Sequence, residues 1–162
     1  MTRITGKEFD SYAHAANVAL TSLAKAVSES PLDPELQQLV KLRASQINGC
    51  AYCTQLHINE SRHMGIAAPK IDLLAVWREA GVFSEREKAA LQWTELLTRL
   101  SSNPIEDEDY AAVSAHFEPA ELAWLSTAIA LINSWNRLGA PFQFAPPIPK
   151  HEVQSKQEAV HA

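Results

Sequence analysis

Residues 45–57 read Ser-Gln-Ile-Asn-Gly-Cys-Ala-Tyr-Cys-Thr-Gln-Leu-His and contain both cysteines of the chain. The Asn48-Gly49 pair is a turn signal that ends one helix, and the residues after it have the pattern of a second helix. Helix positions three, four and seven apart lie on one face, so Cys50, Cys53 and His57 share a single stripe. The segment therefore predicts a helix that begins at two cysteines and carries a histidine beside them.

Helix signals continue on both sides of this segment. Before it, apolar residues three or four apart run from Phe9 to Leu23, and Asp33-Pro34 is an N-cap followed by proline at the first helical position. After it, residues 84–87 form a capping box, and valine and isoleucine never alternate for long enough to make a strand. The chain is therefore predicted to be all-α, with about seven helices at residues 7–28, 34–46, 50–64, 69–80, 84–100, 106–116 and 119–137.

We expect these helices to form a single compact domain, residues 1–149. A chain of 162 residues is near the usual size of one domain, and no linker or internal repeat divides it. The four prolines from Pro141 to Pro149 are expected to prevent regular structure after the last helix. Residues 150–162 are polar enough for a mobile tail, in which His151 and His161 have no expected role.

Charge and composition exclude two classes of partner. The net charge is −5 and no basic cluster is present, so nucleic acid is not an expected partner. No run approaches the roughly 18 apolar residues of a membrane span, and no secretory signal is readable, so we expect a cytoplasmic protein without membrane association. Thiols are kept reduced in that compartment, and a structural disulfide is not expected.

The reactivity of a cysteine depends on the fraction that is thiolate. A free thiol has a pKa of about 8.5 and needs activation at neutral pH, which a helix N-terminus, the neighbouring thiol and His57 can supply. A thiolate activated in this way can attack a peroxide, become a sulfenic acid and be resolved as a disulfide by the second thiol. The residues alone do not rank the pair, because Cys50 is nearer the helix start whereas Cys53 is nearer His57.

Two other interpretations of the cysteines stay open. They can be ordinary small buried hydrophobic residues. They can also join His57 as three ligands of a zinc site, but the fourth ligand is missing, since there is no second cysteine pair and the other histidines have no telling spacing. We therefore expect no metal ion and no cofactor.

The segment 45–57 resembles the core signature of the AhpD-like alkylhydroperoxidases, a branch of the carboxymuconolactone decarboxylase family. The resemblance implies an all-helical, AhpD-like fold, a homo-oligomer such as a trimer or hexamer, and thiol-dependent reduction of peroxides. Turnover of that reaction needs an external dithiol reductant, which the sequence does not identify. Further matches to the family pattern lie at residues 42–45, 84–91, 97–99 and 132–137.

The resemblance also implies a role for each residue of the motif. Cys53 is the peroxide-attacking residue, Cys50 is the resolving thiol, and His57 belongs to the proton relay. One position departs from the pattern, because the family commonly has a glutamate as proton acceptor where this chain has Gln38. An amide cannot take a proton at neutral pH, although it can orient a water or a thiol by hydrogen bonding.

Other polar residues are candidates for supporting roles. Glu35 is one helical turn before Gln38, and Glu60 is one turn beyond His57. Either can replace the missing proton acceptor, with a solvated surface charge as the alternative. Tyr52 either donates a hydrogen bond into the site or only packs there. The polar residues of the last helix are expected to face a partner subunit or to cap the helix end: Asn133, Asn136 and Arg137.

The leading prediction is an enzyme, a peroxidase that reduces hydrogen peroxide or alkyl hydroperoxides through the cysteine pair with the histidine in its proton relay. One alternative is the lyase reaction that gives the family its name, which has no need of paired thiols. Another is a non-catalytic redox sensor, whose dithiol changes state on oxidation without turnover.

Overall fold

The computed structural model describes residues 2–102 and 104–149, and throughout these ranges the chain is helical or irregular. They contain eight α-helices, one 3₁₀ helix and no strand, which confirms the predicted all-α class. The elements are α1 (Gly6–Tyr12), α2 (His14–Ser28), α3 (Pro34–Ile47), α4 (Ala51–His63), α5 (Ala68–Asp72), the 3₁₀ helix (Leu74–Val76), α6 (Glu85–Thr98), α7 (Asp107–Ser114) and α8 (Pro119–Phe142).

The N-terminal apolar stripe forms two helices rather than the single helix predicted for residues 7–28. The backbone breaks at Ala13 (φ −124°, ψ 40°), which separates α1 from α2 and accounts for the eighth helix. The Asp10 carboxylate is hydrogen-bonded across this break to His14 and Asn17, at 3.2 and 2.6 Å. No glycine or proline marks the position, so helical periodicity alone could not locate it.

The prediction of a helix at residues 69–80 is wrong beyond the first turns. α5 ends at Asp72, and the chain continues through the 3₁₀ helix and further turns. Trp77 lies in this irregular segment, where its ring is buried and its indole N–H donates to Glu95 of α6 at 2.9 Å. The burial of an aromatic ring and a long-range hydrogen bond therefore decide the local structure.

The last helix continues past its predicted end at Arg137, and the prediction that Pro141 prevents regular structure is wrong at that residue. Pro141 lies in the final turn of α8, so the hydrogen bond that proline cannot donate is lost only at the helix end. Gln143 adopts the left-handed conformation (φ 55°) that terminates a helix, and its N–H donates to a carbonyl of the last turn.

The core surrounds α3, which packs against α4, α6 and α8. Its side chains Leu39, Val40 and Leu42 are fully buried, and burial of one such side chain contributes roughly 1.5–3 kcal/mol. Both cysteines lie in a smaller buried cluster with Ala44 and Ile132. The central helix therefore forms one wall of the cysteine site.

None of the helices within residues 2–102 and 104–149 is long and apolar enough to cross a membrane. The predicted tail, residues 150–162 with His151 and His161, lies outside the described residues. The boundary between domain and tail therefore stays a prediction.

Candidate active site

The turn before α4 fixes the position of the cysteines. Gly49 has a φ of 64°, a conformation that glycine adopts without steric cost. Asn48 ends α3, and its side-chain amide donates to Oδ1 of Asn133 and Oδ1 of Asn136, both at 2.9 Å. The turn is therefore tied to α8, and Cys50 lies at the N-cap position of α4.

Cys50 caps α4 with a sulfur atom in place of the usual oxygen. Its Sγ accepts a hydrogen bond from the backbone N–H of Cys53 at 3.3 Å, as a serine or aspartate side chain does in other helices. Both cysteines are free and buried, with exposed fractions of 0% for Cys50 and 4% for Cys53. The N-terminus of a helix favours negative charge on a sulfur in this position.

A hydrogen bond between the two thiols changes their pKa values in opposite directions. The bond donated by the Cys53 thiol lowers the pKa of Cys50 to about 6, helped by the backbone N–H of Cys53 and the Asn136 amide and opposed by burial. The same bond raises the pKa of Cys53, and burial raises it as well. The two thiols therefore titrate as a pair, in which the hydrogen bonds to the Cys50 sulfur favour its thiolate form.

The zinc alternative needs three converging ligands. In the described ranges of the chain, no three His, Cys, Asp or Glu side chains are grouped so that they could hold a metal ion. Cys50, Cys53 and His57 therefore do not form the ligand set that this alternative requires.

Gly139 of α8 lies against both sulfur atoms. A Cβ at this position would be 2.9 Å from Sγ of Cys50 and 3.4 Å from Sγ of Cys53. The first distance is shorter than real Cβ contacts allow, so a side chain at this position would displace the Cys50 sulfur. The predicted last helix stopped short of Gly139, but the residue lies inside α8 and permits this close approach.

Asn136 is a residue of the site that the sequence analysis did not assign to it. It is 1% exposed, its amide donates to Oγ of Ser45 at 3.1 Å, and its hydrogen bonds to the sulfur atoms lower the pKa of both thiols. The expectation that Asn133 and Asn136 face a partner subunit or cap the helix end is wrong, because both are buried within the chain. An amide in an otherwise apolar helix was the available signal, since buried polar groups need partners.

His57 is held between a glutamine and a glutamate. Its Nδ1 lies 2.9 Å from Oε1 of Gln38 and 3.0 Å from Oε2 of Glu60. The hydrogen bond with His57 lowers the pKa of Glu60 against the opposing effect of burial, so this side chain is a carboxylate near neutral pH. A carboxylate only accepts, hence Nδ1 carries a proton and Nε2 is the basic nitrogen of the neutral ring.

A cavity of about 920 Å³ adjoins the thiol pair. Its lining includes Cys53, His57 and Glu60, whereas Cys50 is not among the lining residues of the described chain. The segment before α1, α1 itself and the residues after α8 also contribute to the lining. A small molecule in the cavity therefore meets Cys53 and the imidazole, with Cys50 behind them.

Of the remaining predicted site residues, Tyr52 lines the cavity and Glu35 does not. Glu35 is exposed on α3 and is not among the described residues that line the cavity. Tyr52 lines the cavity and packs edge-on against Phe144, with 6.1 Å between ring centroids. Of the two glutamates considered as proton acceptors, Glu60 is therefore the one beside His57.

Together these features define an all-helical protein with a buried dithiol at the edge of a cavity. The sequence profile of the carboxymuconolactone decarboxylase family matches residues 14–96, and the chain belongs to this family. The uncharacterized protein YdfG of Bacillus subtilis (strain 168) is 35% identical over 119 residues, which cover 74% of this chain and 81% of the relative.

Solved structures share the fold. A protein of unknown function from Agrobacterium tumefaciens, with a proposed role as the antioxidant defence protein AhpD, is 36% identical with a TM-score of 0.86 over 92% of this chain and 100% of that one. The debrominase Bmp8, solved in complex with 2,3,4-tribromopyrrole, is 18% identical with a TM-score of 0.69 over 87% of this chain and 74% of that one. The resemblance to the AhpD-like branch is confirmed, and proteins with other names share the same fold.

Proposed function

We propose that the protein is a thiol-dependent peroxidase that reduces hydrogen peroxide or alkyl hydroperoxides through Cys53, Cys50 and His57. The observation that carries the proposal is the placement of the thiol pair, in which Cys53 lines a cavity and Cys50 lies behind it at the N-cap of α4. A peroxide in the cavity reaches the sulfur of Cys53 first. Accessibility therefore supports the attacking role that the resemblance implies for Cys53.

In the first step, Cys53 transfers its proton to the Cys50 thiolate along the hydrogen bond between them and attacks the terminal oxygen of the hydroperoxide ROOH. A sulfur–oxygen bond forms, the O–O bond breaks, and Cys53 becomes a sulfenic acid. Nε2 of His57 takes up the proton that Cys53 gave to Cys50 and passes it to the leaving alkoxide, which departs as the alcohol ROH. Cys50 is then a thiolate again, and sulfur has been oxidised by the two electrons that reduce the peroxide.

In the second step, the Cys50 thiolate attacks the sulfenic sulfur of Cys53. A disulfide forms, the sulfur–oxygen bond breaks, and the hydroxide that leaves takes a proton from solvent and becomes water. An external dithiol then reduces the disulfide by thiol–disulfide exchange and restores the pair. One proton returns to solvent when reduction of the disulfide restores the Cys50 thiolate. The sum of the cycle is conversion of ROOH and a dithiol into ROH, water and an oxidised dithiol.

The His57–Glu60 pair supplies the proton relay in this proposal. His57 lines the same cavity as Cys53, and the Glu60 carboxylate at its Nδ1 stabilises the imidazolium that forms when Nε2 takes a proton. Gln38 accepts a hydrogen bond from the same imidazole and helps to hold its orientation. Glu60 thus fills the role of the glutamate that the family pattern places at the position of Gln38.

The test is consumption of peroxide by the full-length protein in the presence of excess dithiol. We expect many turnovers for the wild-type protein, no turnover for Cys53→Ser and, when the dithiol is omitted, consumption of one equivalent of peroxide by Cys50→Ser. Thr54→Ser serves as the matched control, because it alters a neighbouring side chain of α4 outside the cavity lining. Unchanged turnover in Cys53→Ser would contradict the mechanism.

The same assay separates the two alternative functions. A redox sensor consumes one equivalent of peroxide and is not recycled by dithiols. A lyase releases carbon dioxide from a carboxylated muconolactone, and this release survives replacement of either cysteine.

We also propose that the protein assembles as a homo-oligomer, a trimer or hexamer, as the resemblance implies. A groove on α6 and α8 is lined in part by Leu97, Leu100 and Ala130, and Leu100 is 54% exposed. Light scattering during size-exclusion chromatography gives the mass directly. A mass equal to the 17.9 kDa chain would contradict the proposal.

A further inference from the structure

The cavity beside Cys53 is much larger than hydrogen peroxide requires. Its volume of about 920 Å³ is near the upper end of the roughly 300–1,000 Å³ that pockets for small organic ligands occupy. A water molecule, by comparison, takes up about 30 Å³. The space therefore fits a hydroperoxide with a sizeable organic body.

Most of the cavity surface is apolar, and aromatic rings make up much of it. Phe9 of α1 lies 6.2 Å from Phe142 and 6.3 Å from Phe144, measured between ring centroids, and Phe144 lies 6.1 Å from Tyr52. Trp135 of α8 also lines the cavity. These rings provide a large apolar contact surface for the body of a ligand.

Lys41 supplies a positive charge to the same lining. Its ammonium group makes no hydrogen bond, and no ion pair within 4.0 Å, with any described residue. It lies one turn after Gln38 on α3, close enough to the His57–Glu60 pair for the Glu60 carboxylate to attract it. Burial nevertheless lowers the pKa of Lys41, which means that an additional anion would stabilise its charge.

The other groups that face Lys41 do not neutralise it. From α4, the Glu60 carboxylate is already hydrogen-bonded to His57. From the segment before α1, Arg3 is itself positive and donates to the Pro141 carbonyl. The described residues of α8 that line the cavity are uncharged. A carboxylate carried by the ligand is therefore the complement that the lining lacks.

We propose that the cavity selects amphipathic organic hydroperoxides that carry a carboxylate, such as fatty-acid hydroperoxides, and that Lys41 binds the carboxylate. This inference rests on the proposed peroxidase function and leaves its chemistry at Cys53 unchanged. The aromatic rings contact the apolar body, while Lys41 pairs with the acid group. Lys41 is thus a residue that determines specificity.

The test compares linoleic acid hydroperoxide with its methyl ester, each below the concentration at which it forms micelles. The two share the body and the peroxide group and differ only in the charge of the head group. We expect kcat/KM to favour the acid by about tenfold or more, the effect of a charge-assisted pair in a partly buried site. An acid-to-ester ratio of one for the wild-type protein would overturn the inference.

Variants at Lys41 test whether its positive charge causes the preference for the acid over the ester. The acid-to-ester ratio is expected to fall to about one in Lys41→Met, which removes the charge, and to persist in Lys41→Arg, which keeps it. Both rates are measured on the same protein sample, so a partly unfolded variant does not alter the ratio. Lys25→Met is the matched control, since it removes an exposed lysine of α2 and is expected to keep the ratio. A preference for the acid that survives in Lys41→Met would overturn the role of Lys41.

A binding measurement separates this inference from the peroxidase proposal. The hydroxy acid that corresponds to the reduced substrate contains no peroxide, and its binding can be followed by quenching of tryptophan fluorescence, since Trp135 lines the cavity. Tighter binding of the hydroxy acid than of its methyl ester, lost in Lys41→Met, supports the ligand class even if no peroxide is turned over. Equal binding of acid and ester overturns the ligand class even if peroxide is turned over.

Discussion

The acidity of Cys50 depends on hydrogen bonds that its sulfur accepts, one of them from the Asn136 amide. A hydrogen bond to a charged group contributes about 1.5–3 kcal/mol, and one pKa unit corresponds to about 1.4 kcal/mol. We therefore expect Asn136→Ala to raise the pKa of Cys50 by about one to two. The rise in thiolate absorbance with pH then occurs at higher pH than in the wild-type protein. Asn59→Ala is the control, and an unaltered titration in Asn136→Ala would contradict the assignment.

Glu60 gives a prediction about stability and pH. Its pKa is lowered in the folded chain, first by the hydrogen bond with His57. The carboxylate therefore contributes to the stability of the fold above the unfolded pKa of about 4.3, and this contribution is lost as the pH falls through the folded pKa. Glu60→Gln is expected to lower Tm at neutral pH and to have little effect in strong acid. The loss should be below about 1 kcal/mol, because the side chain is 43% exposed.

The measurement is the Tm of the wild-type protein, of Glu60→Gln and of the control Glu79→Gln, at neutral pH and in strong acid. A destabilisation of Glu60→Gln that is equally large at neutral and acid pH would mean that its carboxylate charge is not what stabilises the fold.

The sequence identified much of the site at the level of residues, but not all of it. Helical spacing predicted that Cys50, Cys53 and His57 share a face, and the structure brings Glu60 to His57. The ranking of the two thiols could not be predicted, because it depends on which sulfur lines the cavity of the folded chain. Asn136 comes from a helix distant in the sequence, and no local pattern connects it to the cysteines.

Among the elements, α8 contributes its backbone to the site through Gly139. Replacing glycine by alanine inside a helix ordinarily stabilises a protein by about 1 kcal/mol, but a Cβ here would lie 2.9 Å from the Cys50 sulfur. Gly139→Ala is therefore expected to bring no gain in Tm. It is also expected to lower peroxide turnover by at least about tenfold, because the added Cβ displaces the Cys50 sulfur from its position beside Cys53. Gly81→Ala, where a Cβ has no neighbour within 4 Å, is the control. Full turnover in Gly139→Ala would contradict this role.

Helices whose ends carry local signals were predicted well. α3 begins after the Asp33 N-cap, α6 begins after the Ser84 capping box, and the turn at Gly49 precedes α4. The errors lie where distant contacts decide the structure, as in the segment after α5 that Trp77 and Glu95 hold together. Local propensity cannot report such contacts, because they form only when the chain is folded.

For the whole molecule, the cavity is the feature that the sequence could not show. Its lining comes from both ends of the described chain and from α3, α4 and α8, and it exists only because the N-terminal segment lies beside the end of α8. None of the side chains of α1 is buried, so this helix contributes to the cavity wall rather than to the core.

Phe9 of α1 therefore gives a prediction about substrate size. Phe9→Ala is expected to raise KM for cumene hydroperoxide several-fold, by about 1 kcal/mol of lost aromatic contact, and to leave KM for hydrogen peroxide nearly the same. Tyr12→Ala on the same helix is the matched control, because that side chain is 74% exposed. Equal changes in KM for both peroxides would show that Phe9 does not contact the organic body.

The most direct test of the central claim is to identify the sulfur that a peroxide oxidises. The Cys50→Ser and Cys53→Ser proteins are each treated with one equivalent of hydroperoxide and with dimedone, which reacts with sulfenic acids, and the modified peptide is located by mass spectrometry. We predict a dimedone adduct on Cys53 in the Cys50→Ser protein and none on Cys50 in the Cys53→Ser protein. An adduct on Cys50, with Cys53 unmodified, would contradict the account.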